Sequence, residues 1–96
     1  MRTWELLESR KDEIMRIAAS HGAVDIRVFG STARQEDDED SDIDILVRLK
    51  PGIGLIEHAA LTRELQELLG RKVDVVSDKG LRQRVKDRVL REAVPL

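Results

Sequence analysis

Asp42 and Asp44 lie two residues apart in "SDIDILV", inside the apolar string Ile43, Ile45, Leu46, Val47. Residues i and i+2 of a strand share a face, so both carboxylates project to one side while Ile43 and Ile45 anchor the other. Two carboxylates held together beside a core repel each other and lose hydration, which raises a pKa or destabilises the fold unless a cation sits between them. Oxygen-only ligands, with no cysteine and no nearby histidine, select Mg²⁺ or Mn²⁺ over zinc. A third acid, Asp74, is embedded in "KVDVVS". If its strand lies beside that of Asp44 it completes a carboxylate triad, a device suited to displacement at phosphorus; otherwise it is a strand acid paired with a neighbouring Arg or Lys.

Upstream, Gly30-Ser31 ends one apolar run and opens the next segment. A glycine there permits close backbone approach, and a serine at a helix start offers its hydroxyl and unpaired N–H groups to a phosphate. The bland alternative is a turn and a helix cap. Arg34, one turn further, is either a phosphate contact or a structural ion pair bracing the loop. Between the two halves, Glu36 to Asp44 holds seven carboxylates and no base. The part from Glu36 to Asp40 reads as a solvated loop, or as a docking surface for a basic partner. An EF-hand is excluded by spacing, since a loop begun at Asp38 puts Ile43 where glycine is required and Leu49 where glutamate is. His21 and His58 read as helix-end and helix-surface residues, and Trp4 as core or interface filling.

A chain of 96 residues suffices for one domain, 1–96, that must carry whatever chemistry there is. Net charge is only −2, but Lys79, Arg82, Arg84, Lys86, Arg88 and Arg91 crowd the C-terminal segment while acid dominates the centre, so the molecule is bipolar. Near-neutral charge and two aromatic residues argue against direct nucleic-acid binding. No apolar run reaches membrane-spanning length and no cysteine is present, which fits a cytoplasmic location.

The elements that must position these residues read as α-β-α-β-α-β-α. Apolar residues at helical spacing predict a helix from Thr3 to about Ser20, stopped by Gly22. Val24, Ile26 and Val28 alternate as a half-buried strand, Ser31 opens a short helix to Gln35, and Ile43 to Leu49 is a buried strand ended by Pro51-Gly52. Leu55 to Leu69 is a helix closed by Gly70, Lys72 to Ser77 a third strand, and Leu81, Val85, Val89 and Ala93 a last amphipathic helix packed through Val85 and Val89. The expectation is an α/β fold, a small three-stranded mixed sheet flanked by about four helices. Its first two strands are antiparallel through a tight connection, and the last two are parallel through a helix.

Gly30-Ser31, ten residues, then Asp42-Ile43-Asp44 resembles the signature of the polymerase-β-like nucleotidyltransferases, and "GSTAR…SDIDILV" resembles their minimal branch, the MNT-domain antitoxins. "KVDVVS" matches the third-carboxylate position and "LREAVPL" the closing segment. The resemblance implies a nucleotidyltransferase core and Mg²⁺-dependent transfer of a nucleotide, AMP from ATP, to a hydroxyl with loss of pyrophosphate. It further implies that Gly30 and Ser31 hold the β- and γ-phosphates, that Asp42 and Asp44 hold the metals, and that Asp74 holds the metal activating the nucleophile. The chain has no room for an acceptor domain, so the acceptor is expected on a partner, which the resemblance makes a HEPN-domain toxin ribonuclease. An antitoxin acting by binding alone is the competing expectation.

Overall fold

The computed structural model describes residues 2–38 and 40–96; Met1 and Glu39, the latter within the acidic run, lie outside the described residues. The predicted first helix is two, α1 (Thr3–Ser9) and α2 (Lys11–Ser20). Glu8 to Glu13 contains no apolar side chain to bind the middle of the segment to the core. The Ser9 hydroxyl donates back to the Leu6 carbonyl at 2.8 Å, and Arg10 leaves helical geometry with φ −111° and ψ 13°. On either side, Leu7 and Ile14 remain fully buried.

Strand β1 (Ala23–Phe29) leads through α3 (Gly30–Ala33) to β2 (Ile43–Leu49), and α4 (Leu55–Leu69) connects β2 to β3 (Val73–Ser77). A 3₁₀ turn at Asp78–Gly80 precedes α5 (Gln83–Glu92) and a two-residue strand β4 (Val94–Pro95). The sheet order is β3-β2-β1-β4, with β1 antiparallel to β2 and β4, and β2 parallel to β3. Both expected pairings are present. The expected three strands and about four helices become, among the described residues, four strands and five α-helices, because the first helix breaks and the C-terminal segment leaves its helix to pair with Arg27 and Val28. That fourth strand partly covers the outer edge of β1, and a proline is tolerated there because an edge strand has a side without a ladder.

The strict alternation read for β1 is interrupted. Its register slips between Val24 and Arg27, where Asp25 adopts φ 53°, so Ala23, Ile26 and Val28 are buried while Val24 stays exposed. In α4, Leu61, Leu65 and Leu69 are buried, whereas Leu55 and Ile56 at its first turn face solvent. Together with Leu7, Ile14 and Ala18 these helices cover the sheet face formed by Ile43, Ile45, Val47, Val73 and Val75. The alternate residues Asp44, Leu46, Arg48, Asp74 and Val76 therefore lie on the opposite face, where Leu90 of α5 lines a small cavity with Leu46 and Arg48. Of the stripe expected to pack there, Val89 is buried and Val85 is exposed.

The free edge of β3 is blunted from α4. The Gln66 side-chain oxygen accepts from the Val73 N–H at 3.1 Å, and the His58 ring nitrogen Nε2 donates to the Val75 carbonyl at 2.6 Å. His58 is thus an edge cap rather than a surface residue. No helix among the described residues is long and apolar enough to cross a membrane. The helix end that directs the chain into β3 depends on Gly70, at φ 64° and ψ 22°. A Cβ at Gly70 would meet nothing within 4 Å, so its requirement is purely the left-handed backbone. Gly70→Ala is expected to lower the melting temperature by about 5 °C, the effect of roughly 1 kcal/mol in a domain of this size, measured by thermal circular dichroism.

Candidate active site

The parallel ladder puts Asp44 and Asp74 opposite one another in register, on the face away from the helical core. The antiparallel ladder puts Phe29, the last residue of β1, opposite Asp44. The next residue, Gly30, consequently turns against the Asp44 carboxylate with φ 72°. A Cβ at Gly30 would collide with Asp44 Oδ2 and stand 3.2 Å from its Cγ. The glycine of the Gly-Ser pair thus makes room for the aspartate of the Asp-x-Asp pair. Ser31, half-buried, follows in the first turn of α3, whose N-terminal N–H groups receive no side-chain cap.

Burial pushes the Asp44 carboxyl above its ordinary range, the Asp74 and Asp42 carboxylates push it further, and the Arg34 charge offsets part of this. Asp42 and Asp74 thus both lie close enough to act on Asp44. Asp42 is exposed just before β2, its Oδ2 3.9 Å from Lys72 Nζ. Among the described residues no three carboxylates or imidazoles are already drawn into a metal cage. The chemistry of the donor set nonetheless fits a hard divalent cation, since hard oxygen donors of like charge, one of them partly desolvated, are what such a cation stabilises.

Arg34 caps the C-terminal end of α3. Its Nε donates to Glu36 Oε2 at 3.1 Å and its Nη1 to Glu92 Oε2 at 3.2 Å, and these partners raise the guanidinium pKa. The structural reading of Arg34 is thereby realised, and its charge still reaches Asp44. Glu92 is a residue that sequence reasoning missed; only the close of α5 onto β1 brings it here. The acidic loop is also less free than its charge suggests. Arg71 donates to the carbonyls of Asp38 at 3.2 Å and Ser41 at 2.7 Å and to Thr3 Oγ1 at 3.0 Å, pinning the loop backbone to α1. Beside that loop a cleft of about 560 Å³, lined by Arg2, Trp4, Thr32, Gln35, Asp37 and Arg71, includes none of the three aspartates and is not the reacting centre. His21 bridges Glu57 and Glu64 of α4 and is structural.

Two outcomes follow from this geometry. A folded-state carboxyl pKa above its unfolded value lowers stability at neutral pH, and the loss disappears as pH falls through the raised pKa. Asp44→Asn is therefore expected to melt a few degrees higher than wild type at pH 7, with the gap closing on acidification, and to abolish the stabilisation that added Mg²⁺ or Mn²⁺ gives wild type. Gly30→Ala is expected to displace the Asp44 carboxylate and to remove the same cation-dependent shift, read by thermal melting with and without metal.

Residues 11–96 match the family described as "Nucleotidyltransferase domain". The Thermococcus cleftensis protein adenylyltransferase MntA is 38% identical over 86% of this chain and 92% of its own length. A solved structure, provisionally described as a minimal nucleotidyltransferase, superposes with a TM-score of 0.88 at 50% identity, covering 96% of this chain and 94% of the other. A complex of a tri-AMPylated Shewanella oneidensis HEPN toxin with an MNT antitoxin contains a chain that superposes with a TM-score of 0.71, over 92% of this chain and 69% of that one. Its 20% identity shows a shared fold. With the Gly30 and Asp44 contact and the in-register aspartates on one sheet face, these likenesses show that the chain belongs to the nucleotidyltransferase domain family, as a minimal enzyme of the protein adenylyltransferase line.

Proposed function

We propose that the protein transfers AMP from ATP to a hydroxyl on a HEPN-type toxin, and so acts as the antitoxin of a pair working in the cytoplasm. The observation that carries this reading is the in-register Asp44 and Asp74 pair closed against Gly30. It supplies carboxylates, a phosphate-accessible backbone turn and an open face at one place. The line of relatives supports protein as the acceptor, and the toxin complex of the fold neighbour supports the partner class.

In this reading Gly30 and Ser31 hold the β- and γ-phosphates through backbone N–H groups and the Ser31 hydroxyl. Asp42, Asp44 and Asp74 hold Mg²⁺, or Mn²⁺, which when bound neutralises triphosphate charge and polarises the α-phosphoryl group. The acceptor oxygen bonds to the α-phosphorus as the bond to the β-phosphate oxygen breaks, pyrophosphate leaves, and the hydroxyl proton is lost to the carboxylate group or to water. Asp74, exposed at the sheet edge, stands on the side open to an incoming partner. Positioning and charge supply the rate, and no covalent enzyme intermediate is needed.

The exposed carboxylates Glu36, Asp38, Asp40 and Asp42, on a loop whose backbone Arg71 already holds in place, favour a second reading in which the protein neutralises a basic toxin surface by binding alone. One pair of measurements separates them. With α-labelled ATP, wild type is expected to label the co-purified toxin and Asp42→Asn/Asp44→Asn to leave it unlabelled while keeping its circular dichroism. Labelling by the double variant would remove the site assignment, and full neutralisation of the toxin in cells by a double variant that cannot label would select the binding-only reading.

A further inference from the structure

One flank of the basic helix α5 reaches the α3 segment, where Gly30 meets Asp44. Helix α5 lies on the face that carries Asp44 and Asp74, because the opposite face is filled by α1, α2 and α4. Its two flanks are oriented by different contacts. Leu90 shares a small cavity with Asp25, Leu46, Arg48 and Asp78, toward the end of the strands away from the aspartates. Glu92 is held by Arg34 of the α3 segment, at the end where Gly30 meets Asp44.

At about 100° per residue, Arg88 and Arg84 fall on the flank of Glu92, and Lys86 falls on that of Leu90. Arg88 Nε approaches Glu92 Oε1 at 3.7 Å, so one carboxylate is bracketed by Arg34 on one oxygen and Arg88 on the other. Arg88 keeps 73% of its side chain exposed, and Arg84 is exposed with no ion-pair partner among the described residues. The aspartates, which attract a divalent cation, are thus linked to a row of anion-attracting guanidiniums through Arg34, whose charge acts on Asp44, and through Glu92. The ligand matching both is a polyphosphate carrying a divalent cation.

Resting on the nucleotidyltransferase reading above, we infer that Arg88 and Arg84 bind the β- and γ-phosphates of the nucleotide, on the α3 side of the site where Gly30 and Ser31 lie. Arg88 contacts the phosphate chain while Glu92 limits its swing; Arg84, one turn back, meets the terminal phosphate. This assigns α5 to substrate binding and couples its seating, through Glu92 and Arg34, to an occupied site.

The test is calorimetric titration of ATP, and separately of AMP, each with Mg²⁺, into wild type, Arg88→Ala, Arg84→Ala/Arg88→Ala and, as a control for lost charge, Lys86→Ala. Arg88→Ala is expected to weaken ATP binding about tenfold, the worth of one charge-assisted hydrogen bond, and the double variant further. AMP binding and the Lys86→Ala variant should match wild type. Arg88→Gln, which keeps the side chain's length and packing, serves if an alanine variant fails to fold. Equal ATP affinity in wild type and the double variant would overturn the inference while leaving the nucleotide site standing. So would equal losses for ATP and AMP, or a loss in Lys86→Ala as large as in Arg88→Ala. Absence of ATP binding to wild type would overturn the nucleotidyltransferase reading beneath it.

Discussion

A single crowded point organises this protein, the Asp44 carboxylate pressed into the space that a side chain on Gly30 would occupy. To bring these residues together, β1 must end one residue before the glycine and pair with β2 so that Phe29 faces Asp44. To bring Asp74 alongside, β2 and β3 must pair in parallel without a shift. A slip by one residue would turn the aspartates into the core and the valines and isoleucines out to solvent. The apolar residues that alternate with the aspartates, Ile43, Ile45, Val73 and Val75, thus fix the site's register as they fill the core. Fold and site are specified by the same strands read on opposite faces.

The arrangement carries a cost. Asp44 is half-buried among like charges, and burial and its neighbouring carboxylates disfavour its ionised form. In the reading proposed above, a bound cation and its anionic ligand relieve this destabilisation. Around it, the protein places cations that are themselves restrained. Arg34 is shared between Glu36 and Glu92, and Lys72 stands 3.9 Å from Asp42. These contacts moderate the field of the aspartates without closing the face on which they lie. Arg71 performs a different task at the loop, where it engages carbonyls and so holds the backbone without pairing with an acidic side chain.

Much of this was legible in the residues themselves, because it rests on local spacing. The period of two that sets Asp44 on the face away from Ile43 and Ile45, the valines flanking Asp74, and the glycine closing α4 are properties of neighbours in the chain. What the sequence did not disclose depends on distant segments or on single backbone angles. The bulge at Asp25 inverts the burial of Val24, although Asp25 sits in an alternating string. The helix break at Arg10 comes from an absence of apolar anchors over one turn and a half. The fourth strand exists only because α5 delivers Val94 to the edge of β1, and Glu92 reaches Arg34 for the same reason. His58 was invisible as an edge cap, since its partner Val75 lies across the α4 to β3 turn.

The central claim is that the aspartates and the Gly-Ser turn form one metal-dependent nucleotide site. Isothermal titration of ATP with Mg²⁺ into the isolated protein, wild type beside Asp42→Asn/Asp44→Asn, tests it most directly. The account predicts saturable binding to wild type that vanishes when Mg²⁺ is withheld and in the double variant. Equal binding by a folded double variant, or binding indifferent to the metal, would contradict it.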